Sequence, residues 1–215
     1  MPRVLGIDQL LQKRYCLLQG LSPAFVKAHG ELEDRFTACI YGHSGQGKSN
    51  YTMQLLAELL NAMPGEVALY VALEEGHGKT IQNTVVRQDM ARYSGRMRIM
   101  DCCTYAELLD KLSKRKSPKI VVIDSVQYMG LTVEQYKQLK ERFNKKIMLF
   151  ISHASGRRPK ASTAEAITYD ANIKVRVEGF KALVTSRFGG TDNYVVWEDG
   201  AKKYWGKKWK NFHAR

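Results

Sequence analysis

The sequence predicts an α/β domain, with a mainly parallel central sheet flanked by helices and antiparallel strands added near the C-terminus. Three observations predict it. Short apolar runs alternate with stretches of helical spacing from residue 36 to residue 152, the rhythm of parallel strands joined by helical crossovers. The runs read as strands covered on both faces. After residue 152 the rhythm changes to short strands joined by Gly turns. With 215 residues, 44% of them hydrophobic, the chain is long and apolar enough for one well-formed core.

Residues 1–33 read as a lead-in, in which IDQLLQKRYCLL has helical spacing and SPAF marks a turn and a helix start. FTACIY (36–41) is a buried strand. NYTMQLLAELLNA (50–62) is a helix, broken by MPGE. VALYVAL (67–73) is a strand, and residues 79–93 suit a helix with Ile81, Val85 and Met90 on one face. MRIMD (97–101), KIVVID (119–124) and KIMLFIS (146–152) are strands; YAELLDKLSKR (105–115) and VEQYKQLKERF (133–143) are helices. GRRPKASTAEA (156–166) has no sustained apolar period and reads as a loop, after which NIKVRVEG, KALVTSRFGG and YVVWEDGAKKYW read as short strands. The organisation is a lead-in over 1–33, a core over 34–200 and a basic, aromatic tail over 201–215.

Lys and Arg number 34 against 21 Asp and Glu, a net charge of +13. The excess favours an anionic partner, nucleic acid being the usual one, although charge does not determine function. The four cysteines have no zinc-ligand spacing, and Cys102 and Cys103 are adjacent. That usage suits a reducing, cytoplasmic compartment. The first twenty residues lack the apolar core and cleavage site of a secretory signal, and no apolar run is long enough to span a membrane.

Gly42, Gly47, Lys48 and Ser49 fill the pattern G-x-x-x-x-G-K-S between a strand and a helix. In this setting the backbone N–H groups of Gly42, His43, Ser44, Gly45, Gln46, Gly47 and the following Lys48, Ser49 and Asn50 curl around phosphate oxygens, aided by the positive helix end. The motif calls for ATP with Mg²⁺, Lys48 reaching the terminal phosphates and Ser49 holding the metal. Asp124 ends an apolar strand on the ligand edge of such a sheet and is the natural second partner of Mg²⁺. Glu74 and Glu75 close another strand; either can serve as the base that polarises an attacking water, with Glu74 the first choice.

YVALEEG, IVVIDSVQYM, FISH and TSRFGG occur in this order. Together with the phosphate loop they resemble the ATPase core of the RecA-like superfamily, most closely the bacterial RadA/Sms branch, with DnaB-type helicases and KaiC as relatives. The resemblance spans about residues 34–200. It implies that Glu74 is the catalytic base and that His153 senses the γ-phosphate and relays to DNA-binding loops. Ser125 and Gln127 correspond to the segment after the metal-binding Asp. Arg187 is implied to be an arginine finger acting on a neighbouring subunit's ATP, so a homo-oligomeric ring or filament is expected, a hexamer among the candidates. The family carries a Lys two positions before that Arg, where this chain has Thr185: either one of the two trans cations is missing or Lys181 compensates. The zinc module and Lon-like domain of RadA/Sms do not appear in this sequence.

The resemblance also places a DNA-binding loop over 156–163, where Arg157, Arg158 and Lys160 can follow a phosphate backbone. The tail interleaves Lys202, Lys203, Lys207, Lys208 and Lys210 with Tyr204, Trp205, Trp209 and Phe212, a pattern for base stacking that a last strand with a solvated basic end explains equally well. The function expected is Mg²⁺-dependent ATP hydrolysis coupled to handling of single-stranded DNA in recombination, repair or replication. A KaiC-like signalling ATPase or autokinase, and a nucleotide-dependent interaction module with little turnover, are the alternatives.

Overall fold

The computed structural model describes residues 4–212 and, within them, side chains up to residue 209. Two short helices lead in, α1 (Ile7–Leu11) and α2 (Pro23–His29). Then β1 (Phe36–Gly42), α3 (Lys48–Ala62), β2 (Ala68–Ala72), α4 (Lys79–Arg87), β3 (Met97–Met100), α5 (Tyr105–Ser113) and β4 (Ile120–Asp124) alternate. They are followed by α6 (Val126–Met129), α7 (Val133–Arg142), β5 (Ile147–Ser155), β6 (Arg158–Pro159) and α8 (Ser162–Asp170). The chain closes with β7 (Ile173–Glu178), β8 (Lys181–Ser186), β9 (Tyr194–Val195) and α9 (Glu198–Trp205).

The sheet order is β3-β2-β4-β5-β1-β7-β8-β9, with β6 hooked antiparallel onto the end of β5. Strands β3, β2, β4, β5, β1 and β7 run parallel, and β8 and β9 add antiparallel. The predicted α/β architecture is therefore the observed one. Side chains of the central strands alternate between two cores. Ile120, Val122, Ile147, Leu149 and Ile151 face α3, while Val121, Ile123, Met148 and Phe150 face α5, α7 and α8. Burying both faces explains why these strands read as unbroken apolar runs. Two helix starts follow from local chemistry: Thr104 with Glu107 and Thr132 with Gln135 form reciprocal capping boxes.

Four readings need correction. Residues 156–166 are not a loop: they form the β5–β6 hairpin and the start of α8. The helix buries mainly Ala164 and Ile167, and alanine contributes too little apolar signal to reveal the period. YVVWEDGAKKYW is a strand only at Tyr194–Val195 and becomes helix α9, whose Glu198 and Asp199 sit in the first turn and Lys202 and Lys203 in the last, as the helix dipole favours. The helix expected over 79–93 ends at Arg87; Asp89 has φ 50, and Met90–Tyr93 form a 3-10 turn. IDQLLQKRYCLL is helical only over Ile7–Leu11, and that helix buries nothing. The lead-in nevertheless packs on the core through Leu18, Phe25 and Leu32.

Candidate nucleotide site

Parallel pairing brings the C-terminal ends of four strands together. Gly42 at the end of β1 is level with His153 in β5, and Ala72 at the end of β2 is level with Asp124 at the end of β4. The phosphate loop, Glu74, Asp124 and His153 therefore share one edge, although they are far apart in sequence.

The loop from Gly42 to Ser49 joins β1 to α3 directly. Gly45 (φ 73) and Gly47 (φ 100) adopt conformations that other residues resist. A Cβ on Gly42 would stand 2.3 Å from the Val177 carbonyl oxygen, so only glycine lets the loop start there. Helix α3 has no acidic residue in its first turn, leaving its positive end available to an anion. Lys48 Nζ donates to the His43 carbonyl at 3.0 Å, and burial lowers the pKa of its ammonium, against the pull of Asp124, Glu74 and Glu75. Ser44, Gly45, Gly47, Lys48, Ser49, Asn50, Glu74, Glu75, Arg87 and Asp124 all line one cleft of about 250 Å³. Arg87 crosses from α4 to donate to Asn50 Oδ1 at 3.1 Å.

Asp124 is buried, and Tyr70 from β2 donates to its Oδ2 at 2.5 Å. Burial raises the carboxyl pKa to about 6; the Tyr70 hydrogen bond opposes this, Glu74 and Glu75 add to it, and Lys48 counteracts. Among the described residues no cluster of three or more metal-ligating side chains occurs. Among the hydroxyls and carboxylates that line the cleft, Ser49 and Asp124 are hard oxygen donors that fit Mg²⁺ shared with phosphate oxygens better than a metal held by protein alone.

Glu74, not Glu75, meets His153: Glu74 Oε2 lies 2.9 Å from His153 Nε2. From there a connected set of hydrogen bonds leaves the cleft. His153 N–H donates to Gln127 Oε1 at 3.2 Å, Gln127 Nε2 donates to the Lys160 carbonyl at 2.7 Å, and Lys160 N–H donates to the His153 carbonyl at 2.8 Å. Gln127 also reaches Ser152 Oγ at 2.9 Å. The hairpin beyond carries Arg157, Arg158 and Lys160, all exposed, and His43 contacts the carbonyl of Gly156 at its tip at 3.2 Å. Tyr128 is 58% exposed with its ring beside His153.

Arg187 stands apart from this edge. It is exposed, its N–H donates to the Asn172 carbonyl, and Asn172 in turn donates to Thr37 near the start of β1. Gly42 ends that strand about five residues later, so roughly 17 Å of strand separates Arg187 from the phosphate loop of its own chain. Lys181 lies at the other end of β8, buried, with its ammonium over the Trp209 ring. In the tail, Trp205 donates to the Gly179 carbonyl and Trp209 contacts Lys181. The side chains of Lys210 and Phe212 lie outside the described residues. Tyr70, Arg87 and Phe180 were not singled out from sequence. Tyr70 carried a faint signal, a hydroxyl inside a strand with both faces buried.

No protein-family model matches the chain, and no curated protein sequence matches it. Among solved structures it is similar to the crystal structure of a KaiC-like protein from the hyperthermophilic archaeon Pyrococcus horikoshii. The identity is 19%, the match covers 76% of this chain and 80% of that one, and the TM-score is 0.52. The likeness shows the fold: this is the RecA-type α/β architecture of KaiC-like proteins. No helix among the described residues is long and apolar enough to cross a membrane.

Proposed function

We propose that the protein is a Mg²⁺-dependent ATPase whose turnover is coupled to single-stranded DNA bound at the hairpin after β5. The observation that carries this reading is the hydrogen-bonded connection from Glu74 through His153 and Gln127 to the backbone of Lys160. It links a carboxylate in the phosphate cleft to a hairpin with three exposed cations, a geometry able to pass a change at one site to the other.

Mg²⁺ bound between Ser49 and Asp124 would neutralise phosphate charge. The chain's own residues do the rest. Loop N–H groups and the N-terminus of α3 seat the phosphates, and Lys48 balances charge on the terminal group. Glu74 orients a water and takes its proton as the water oxygen bonds to phosphorus and the bond to the ADP oxygen breaks, yielding ADP and phosphate. His153 positions Glu74. At the hairpin, Arg157, Arg158 and Lys160 pair with backbone phosphates while Tyr128 offers a ring face to a base. Arg187 acts in the cleft of a neighbouring copy, since it stands at the far end of its own sheet; the assembly is then a homo-oligomer.

Steady-state ATP hydrolysis with and without single-stranded DNA, at two salt concentrations, tests the reading. Stimulation by DNA that fades with salt, and is lost in Arg157→Ala/Arg158→Ala, is the expected result. Turnover indifferent to DNA, with γ-phosphate transferred to the protein itself, would instead place the chain with signalling autokinases of KaiC type, a reading its fold accommodates.

A further inference from the structure

The phosphate cleft has a second side. Glu74 follows β2 and Asp124 ends β4, to one side of β1 in the sheet; Phe180 belongs to the turn from β7 to β8, on the other side, and lines the same cleft. Gly179 (φ 52) and Phe180 (φ 58) form this two-residue turn with both φ angles positive. Glycine and asparagine suit such positions, and a bulky side chain there is a steric outlier.

Surrounding contacts hold the outlier in place. Gly179 N–H donates to Gln46 Oε1 at 2.6 Å, and Phe180 N–H donates to the Gln46 carbonyl at 3.1 Å. Trp205 Nε1 donates to the Gly179 carbonyl at 3.1 Å. A Cβ on Gly47 would stand 3.1 Å from the Phe180 ring, so the glycine of the phosphate loop is what lets the ring approach. Trp197 meets Phe180 edge to face, with centroids 5.0 Å apart, and is itself 52% exposed. Neither ring belongs to the two apolar cores. Core packing therefore does not account for a strained phenylalanine held at the mouth of a cleft, and strain maintained in this way points to function.

A triphosphate seated on the loop, with its terminal group toward Lys48, Glu74 and Asp124, leaves the cleft on the side away from the carboxylates, where Phe180 stands. Resting on the nucleotide reading above, we propose that Phe180, buttressed by Trp197, is the platform on which the nucleobase stacks. Recognition is by ring face, so the site takes purine nucleoside triphosphates and discriminates weakly between adenine and guanine. Stacking on a ring is tolerant of base identity because every base has a π face, and the larger purine face gains more.

Equilibrium binding of ATP, GTP, CTP and inorganic tripolyphosphate, each with Mg²⁺, tests this on wild type, Phe180→Ala, Phe180→Asn and Trp197→Ala. Asn suits the turn, so Phe180→Asn removes the ring without endangering the fold. The expected result is ATP and GTP bound within a few-fold of each other and more tightly than CTP. Both should weaken about ten-fold in the two Phe180 variants, with tripolyphosphate unaffected. Unchanged ATP affinity in those variants, equal weakening of ATP and tripolyphosphate, or strong preference for ATP over GTP would each overturn the inference. Failure of the wild type to bind both ATP and tripolyphosphate would overturn the nucleotide reading itself, and this inference with it.

Discussion

His153 Nε2 lies 2.9 Å from Glu74 Oε2, although Glu74 follows β2 and His153 lies in β5, with β4 between those two strands in the sheet. The contact joins the carboxylate proposed to orient water to the residue whose backbone holds the cationic hairpin. Glu74→Gln should keep nucleotide affinity and lower kcat by about 100-fold or more, the usual contribution of a general base. His153→Ala should lower basal turnover less and abolish stimulation by DNA. Measuring kcat, KM and DNA stimulation for both variants checks this; stimulation intact in His153→Ala would remove His153 from the coupling.

Lys48 is half-buried and bonded within its own loop. Lys48→Ala should lose nucleotide binding while melting within a few degrees of wild type, because the glycine geometry and α3 packing do not depend on the ammonium. Calorimetric titration with MgATP beside a thermal melt separates the two effects. A large fall in melting temperature would make Lys48 a structural residue first.

The separation of Arg187 from its own phosphate loop makes an in-trans role testable by mixing. Lys48→Ala and Arg187→Ala should each be inactive alone. Combined, they should regain a fraction of wild-type turnover, because some boundaries then pair an intact loop with an intact arginine. No recovery in mixtures that co-assemble would argue against action in trans.

His29 is fully buried between α2 and α3. Its Nδ1–H donates to the Phe25 carbonyl at 2.9 Å, which leaves Nε2 to accept from the Tyr51 hydroxyl at 2.6 Å. Burial lowers its pKa to about 4, opposed by the Phe25 hydrogen bond. The folded pKa is below the unfolded value of about 6.5, so the unfolded chain takes up the proton first and acid favours unfolding. This contribution is fully present above about pH 6.5 and is lost as pH falls toward 4, costing about 2 kcal/mol between pH 7 and pH 5. Denaturant titrations at the two pH values should show that loss in wild type and a flatter dependence in His29→Gln.

The glycine loop, the strand-end carboxylates and the antiparallel strand β8 were legible in the sequence, whereas NIKVRVEG pairs parallel with β1 and the last segment is mostly helix. Their signals are local: a glycine pattern between a strand and a helix, an acid closing an apolar run, short runs between Gly turns. Helix α8 was hidden because it is anchored by small residues. Helix α9 was hidden behind the β-branched and aromatic residues just before it, despite its acid-then-base order.

By itself the sequence determined the architecture and the glycine loop between β1 and α3, since periodicity and loop glycines act over neighbouring residues. Only the tertiary structure decided which of Glu74 and Glu75 meets His153, that Tyr70 supports Asp124, and that Gln127 ties the cleft to the cationic hairpin. It also set Arg187 at the far end of the sheet and turned Phe180 into the cleft beside Gly47. The reason is strand order: β1 lies between β5 and β7, so residues more than a hundred positions apart become neighbours through register. An unbroken apolar run marks a strand buried on both faces but does not say which strand lies beside it.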